Sequence, residues 1–164
     1  MARPLLVDLA TIDLDGQALS LDEIRRLNPH RYEMEQLSRV IHLDPAAQQI
    51  VACKDVREEE FWVRGHIPGR PLLPGVLMIE AAAQMCSVYY QYVRQDPRFL
   101  GFGGVERVKF RDQVAPGQRL LLLGQAVEIR RRRAVFDTQG VVTQEAHTQG
   151  FKLVFEGRII GMPI

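Results

Sequence analysis

The stretch Gly65-His66-Ile67-Pro68-Gly69-Arg70-Pro71-Leu72-Leu73-Pro74-Gly75-Val76-Leu77-Met78-Ile79-Glu80-Ala81-Ala82-Ala83-Gln84-Met85-Cys86-Ser87-Val88-Tyr89-Tyr90-Gln91-Tyr92 decides the fold. Gly65 to Gly75 holds three prolines and three glycines and reads as a loop. Val76–Tyr92 holds neither, is rich in Ala and Met, and is apolar nearly all round, the pattern of a buried central helix. The rest of the chain has to wrap it. From Gly101 onward the pattern is β, with strands predicted at Gly104–Phe110, Leu120–Ile129, Ala134–Glu145 and Gly150–Ile160. Ala115-Pro116-Gly117 and Asp137 to Gly140 mark turns or bulges.

Before the loop, Ser20 with Glu23 predicts a capping box for a helix over Leu21–Leu27, stopped by Asn28-Pro29. Strands follow at about Gln36–Leu43 and Gln48–Val56, with Asp44-Pro45 as the turn. Short connections favour antiparallel pairing. The expected class is α+β, one long helix wrapped by a curved antiparallel sheet. Residues 1–19 contain the turn signal Asp15-Gly16 and form a hairpin or an arm over the domain, with no role readable.

With 164 residues, 46% hydrophobic and 25% charged, the chain suits one domain that needs no disulfide or metal staple. A net charge of +1 gives no reason to expect nucleic acid as a partner. Cys53 and Cys86 show no metal-ligand or redox spacing and read as buried inert thiols of a reducing compartment. The first residues do not read as a secretory signal. No window approaches the ~18 apolar residues of a membrane span, so a cytoplasmic protein is expected.

Within the helix the polar side chains Glu80, Gln84, Ser87 and Gln91 recur at offsets of four, three and four, one stripe. It can be the wet face of an amphipathic helix. Against that, it is narrow, and no Lys or Arg precedes Arg94. A lone carboxylate there is expected to be desolvated, favouring the protonated acid. His66 stands in the loop ahead of a helix start at Pro74-Gly75-Val76, whose free N–H groups suit a developing oxyanion. A lone His is also a common structural residue, but a base, an acid and an oxyanion donor in one segment fit proton abstraction alpha to a carbonyl.

Other patterns are weaker. Gly101-Phe102-Gly103-Gly104 lacks the third glycine of a dinucleotide loop, having Glu106 there. His30, His42, His66 and His147 are scattered, so no zinc site is expected. Glu58–Glu60 reads as a solvated turn, and Arg130–Arg133 as a solvated turn or a dock for an acidic partner or phosphate.

The segment from Gly65 to Ala81 closely resembles the signature of hotdog-fold (3R)-hydroxyacyl-[acyl-carrier-protein] dehydratases of the Z type. Asn28-Pro29-His30-Arg31-Tyr32 looks like that family's opening segment, and Val108-Lys109-Phe110-Arg111 with Val114-Ala115-Pro116-Gly117 like its strand after the helix. The resemblance implies a hotdog fold, with residues 20–164 as one dehydratase domain. It implies His66 as catalytic base and Glu80, fourteen positions on, as catalytic acid. Gly75, followed by Val76, is implied to hold the thioester carbonyl through its N–H, and Gln84 to orient the carboxyl. The implied reaction, a hydro-lyase step of fatty-acid or related lipid synthesis, takes a (3R)-3-hydroxyacyl group to trans-2-enoyl. The substrate rides on the 4'-phosphopantetheine of acyl carrier protein, with neither metal nor cofactor. A homodimer with shared sites, often three dimers in a hexamer, is implied too. Glu80 rather than Asp, and Val76 rather than Cys, favour plain dehydration over added isomerisation.

Departures from the pattern are Glu33, Met34, Glu35 and Ser38 where the family has Pro-Phe and an apolar run, Ile67 for Phe, and Gln113 and Gln118 for Pro and Asp. The first bear on acyl length and carrier choice. Two rival readings are a hotdog thioesterase and a non-catalytic binder of acyl chains or carrier protein.

Overall fold

The computed structural model describes residues 4–143 and 150–164. The first helix, α1 (Leu21–Leu27), has the expected capping box: the Glu23 N–H donates to the Ser20 hydroxyl, and the Ser20 N–H to the Glu23 carboxylate. Two strands, β1 (Arg39–Asp44) and β2 (Gln49–Asp55), come next. The first starts three residues later than expected, because Gln36 is held instead by a helix side chain. The second helix, α2 (Gly75–Arg94), ends where Gln95 turns left-handed and its N–H returns to the Gln91 carbonyl.

Four longer strands complete the sheet: β3 (Leu100–Phe110), β4 (Arg119–Arg130), β5 (Arg133–Thr143) and β6 (Phe151–Pro163). The order is β1-β2-β4-β5-β6-β3, antiparallel throughout. Thus β3 does not pair with its successor β4 but crosses to the far edge, beside β6. It begins at Leu100 rather than Gly104, and two of its glycines sit where a Cβ would crowd neighbouring atoms, Ile164 at Gly101 and Met162 at Gly103. Asp137–Gly140 makes no turn; it runs inside β5, which is offset between Gly140 and Val141. The expected end of that strand, Gln144 and Glu145, lies outside the described residues, as does His147.

Helix α2 fills the concave face of the sheet, with Met85, Tyr89 and Tyr90 almost wholly buried. Burying each such side chain contributes roughly 1.5–3 kcal/mol. The unbroken run Leu120–Leu123 has a simple cause. Leu120 and Leu122 face the helix, while Leu121 and Leu123 face a second cluster on the other side. That second cluster is closed by Val7 and Leu9, with Leu5, Leu6, Ile12 and Leu14 packed against it. Residues 4–14 thus cover the convex face, tied down where the Leu6 N–H donates to Gln139 Oε1 at 2.8 Å. A sheet wetted on one side would alternate; this one is dry on both in its middle strands. Among the described residues no helix is long and apolar enough to cross a membrane.

Candidate active site

The loop ahead of α2 is anchored by one acid. Glu60 accepts from Lys54 Nζ at 2.8 Å, from Trp62 Nε1 at 2.9 Å and from the Arg57 N–H at 3.0 Å. Lys54 and Glu60 side chains are 4% and 9% exposed, which corrects the reading of Glu58–Glu60 as a wholly solvated turn. Burial pushes the Glu60 carboxyl up, but those three donors outweigh it and leave it below its ordinary value. From Trp62 the chain turns so that its carbonyl accepts the His66 N–H at 2.7 Å.

His66 is exposed, and its Nδ1 lies 2.7 Å from the Leu72 carbonyl oxygen. A carbonyl only accepts, so Nδ1 carries the proton, and in the neutral ring Nε2 keeps its lone pair. The Leu72 N–H in turn donates to the His66 carbonyl at 2.9 Å. Proline at 74 then starts the helix, its carbonyl accepting from Leu77 and Met78, while Gly75 and Val76 contribute first-turn N–H groups. At Gly75 a Cβ would lie 2.9 Å from the Phe110 ring, so only glycine fits beneath it. The Val76 side chain is exposed.

Glu80 lies one turn further on, 27% exposed. Its Oε1 accepts from Gln84 Nε2 at 2.8 Å. That same nitrogen donates to the Met34 carbonyl at 2.6 Å, and Gln84 Oε1 accepts the Gln36 N–H at 3.0 Å. The polar stripe is therefore not a wet face: Gln84, Ser87 and Gln91 are all buried. Nor is Glu80 the lone polar group of an apolar surface, since Gln84 and the His30 ring, with Nε2 at 3.5 Å, both meet it. From the sequence, His30 is one of the scattered histidines and part of the family-like Asn28–Tyr32 segment, with no role assigned to it. Its place in the Pro29-His30-Arg31 segment was the available signal.

Glu80 and Gln84 line a cavity of about 160 Å³ whose opposite wall is Phe99, Leu100, Phe102, Ile159 and Ile160. Cys86 lines it too, its thiol pushed well above the ordinary range by burial, so it acts as a small apolar group. His66 is not among the lining residues, and no contact joins it to Glu80 within the described chain. Among the described residues no three His, Cys, Asp or Glu side chains gather as a metal site. Arg130–Arg133 is the exposed tip between β4 and β5.

Residues 28–150 match the FabA-like domain family. The chain belongs to that family. Its relatives include the 3-hydroxyacyl-[acyl-carrier-protein] dehydratase FabZ of Clostridioides difficile, 34% identical over 133 residues, 80% of this chain and 93% of that protein. The FabZ of Desulfotalea psychrophila is 35% identical over 126 residues, 75% of this chain and 83% of that protein. Among solved structures, the dehydratase heterocomplex ApeI:P from Xenorhabdus doucetiae superposes with a TM-score of 0.69 at 18% identity, covering 86% of this chain and 90% of the other. Zebrafish thioesterase superfamily member 2 gives 0.61 at 15%, covering 90% and 100%. At those identities the likeness is one of fold, and the fold is the hotdog α+β arrangement the sequence implies.

Proposed function

We propose that this FabA-like protein dehydrates (3R)-3-hydroxyacyl groups carried as thioesters on acyl carrier protein, giving trans-2-enoyl thioesters for fatty-acid or related lipid synthesis. The observation that carries the reading is the Glu80 carboxyl, fixed by Gln84 on the wall of a cavity whose opposite side is apolar. His66 Nε2 takes the proton from C2, its other nitrogen being occupied at Leu72. The Gly75 N–H receives the negative charge that develops on the thioester oxygen. Glu80 gives its proton to the C3 hydroxyl, directly or through a water, so that water leaves as the C2–C3 double bond forms. Val76 borders the thioester beside Gly75, and Gln84 keeps the carboxyl aimed.

Because His66 and Glu80 do not meet within one chain, the working unit is a homodimer in which each site takes one residue from each protomer. The edge strand β3, with Phe102, Val105 and Phe110 exposed, supports a second copy pairing there. Three such dimers in a hexamer, a cytoplasmic setting and a dock for the acidic carrier at Arg130–Arg133 belong to the same reading.

The test is hydration of 2-enoyl and dehydration of 3-hydroxyacyl thioesters of several lengths. Wild type should turn over both, and H66A and E80Q should each be dead. Mixed dimers of H66A with E80Q protomers should regain part of the activity, one intact site per dimer. Release of free thiol instead would mean a thioesterase, and no turnover on any carrier a binding protein.

A further inference from the structure

His30 touches Glu80 yet has no part in the reaction as written. Four buried side-chain polar atoms among the described residues lack a hydrogen-bond partner: Asn28 Oδ1, His30 Nδ1, Gln36 Oε1 and Ser87 Oγ. Asn28 and His30 border the same small void of about 10 Å³, and His30 and Gln84 line both this void and the larger cavity. Their chemistry is complementary. Asn28 spends its amide nitrogen on the Gln84 carbonyl at 3.0 Å, so the atom left over is an acceptor. A proton on His30 Nδ1 is what that acceptor wants, through one water, for which a void of roughly 10–15 Å³ has room.

With its proton on Nδ1, the neutral His30 ring turns the lone pair of Nε2 toward Glu80 Oε1, 3.5 Å away. Phe99 meets the ring edge-on at 5.8 Å between centroids, which limits its swing. The His30 side chain is 20% exposed, so it reaches solvent as well as Glu80. The charged groups around it are already engaged. Arg31 donates to the carbonyls of Asn28, His30 and Arg25, and Arg25 is clamped to Glu35 and Asp22.

We propose that His30 is a positioning residue that acts through Glu80, returning to it the proton spent in each turnover. This rests on the dehydratase reading above. After water leaves, Glu80 is a carboxylate and His66 an imidazolium. Solvent protonates His30 on Nε2; the imidazolium passes that proton to Glu80 Oε1 and is neutral again; His66 loses its own proton to solvent. No electron pair moves beyond these transfers.

The experiment compares wild type with H30A and H30Q on a 3-hydroxyacyl thioester across pH, with and without imidazole in the buffer, folding being checked by thermal melts. Glutamine keeps a polar group near the ring's place but cannot relay a proton. Both variants should keep KM within about twofold and lose kcat by about a hundredfold or more, the scale of a lost proton-transfer group. One ionisation should vanish from their kcat profiles, and imidazole should restore H30A. H30Q with wild-type kcat and pH profile, or H30A that folds, is slow and is not restored by imidazole, overturns the relay. Should wild type itself turn over nothing, the dehydratase reading fails first, a result distinct from either.

Discussion

Gln84 holds Glu80 by donating from Nε2 to Oε1 at 2.8 Å, and is itself held by the 34–36 segment. The Met34 carbonyl and the Gln36 N–H occupy both ends of its amide, which fixes the amide's orientation. The segment where the sequence departs most from the family pattern thus supplies backbone atoms, not side chains, to the site. Met34 and Glu33 point to the exterior, and Glu35 is taken up by Arg25 at 2.7 and 2.9 Å.

Replacing Gln84 should therefore lower kcat more than it changes KM. Q84L removes the donor to Glu80 and leaves the Gln36 N–H buried and unpaired, costing about 1–3 kcal/mol of stability. The expected activity loss is about ten- to a hundredfold. Q84E keeps an acceptor for Gln36 but sets a second carboxyl beside Glu80, and should shift the pH dependence as well as the rate. Steady-state kinetics over pH, with melts of each variant, check both. A Q84L protein with wild-type kcat would mean that Glu80 needs no such support.

The helix, the loop and the candidate acid and base were legible because each rests on local signals: proline and glycine spacing, an apolar run and a four-residue offset. The pairing of β3 with β6 was not, since strand order depends on non-local contacts that no window shows. Glu60 was misread for a related reason. Beside Glu58 and Glu59 it looks like a charge run, and only the fold brings Lys54 and Trp62 onto it. Likewise His30 and Glu80, fifty residues apart, meet only because α1 docks against α2.

The basic tip offers a test of carrier recognition. Arg131 and Arg132 are exposed, and where Arg98 reaches this turn it donates to the Arg131 backbone carbonyl at 3.1 Å, not to a side chain. R131E/R132E should thus fold normally. It should raise KM for carrier-linked substrate by about tenfold at low salt, with the difference shrinking as salt screens the charges. Turnover of a small pantetheine thioester should not change. Equal loss on both substrates would assign the run a structural role.

Glu60 anchors the loop that carries His66. Glu60 has a folded pKa below its ordinary 4.5, so it adds stability above that pH and loses it as pH falls through the lower folded value. Acid should then loosen the 57–74 loop. Trp62 is the chain's one tryptophan and donates to Glu60, so its fluorescence reports the event directly. E60Q leaves Lys54 charged and buried without a counter-ion, costing about 3 kcal/mol. K54M/E60Q removes that stranded charge while keeping an oxygen for Trp62, and should recover most of the loss. Below pH 4.5 wild type should approach E60Q in melting temperature and in Trp62 emission, whereas K54M/E60Q should show no such acid step. An acid step of the same size in the double variant would place the titrating group elsewhere.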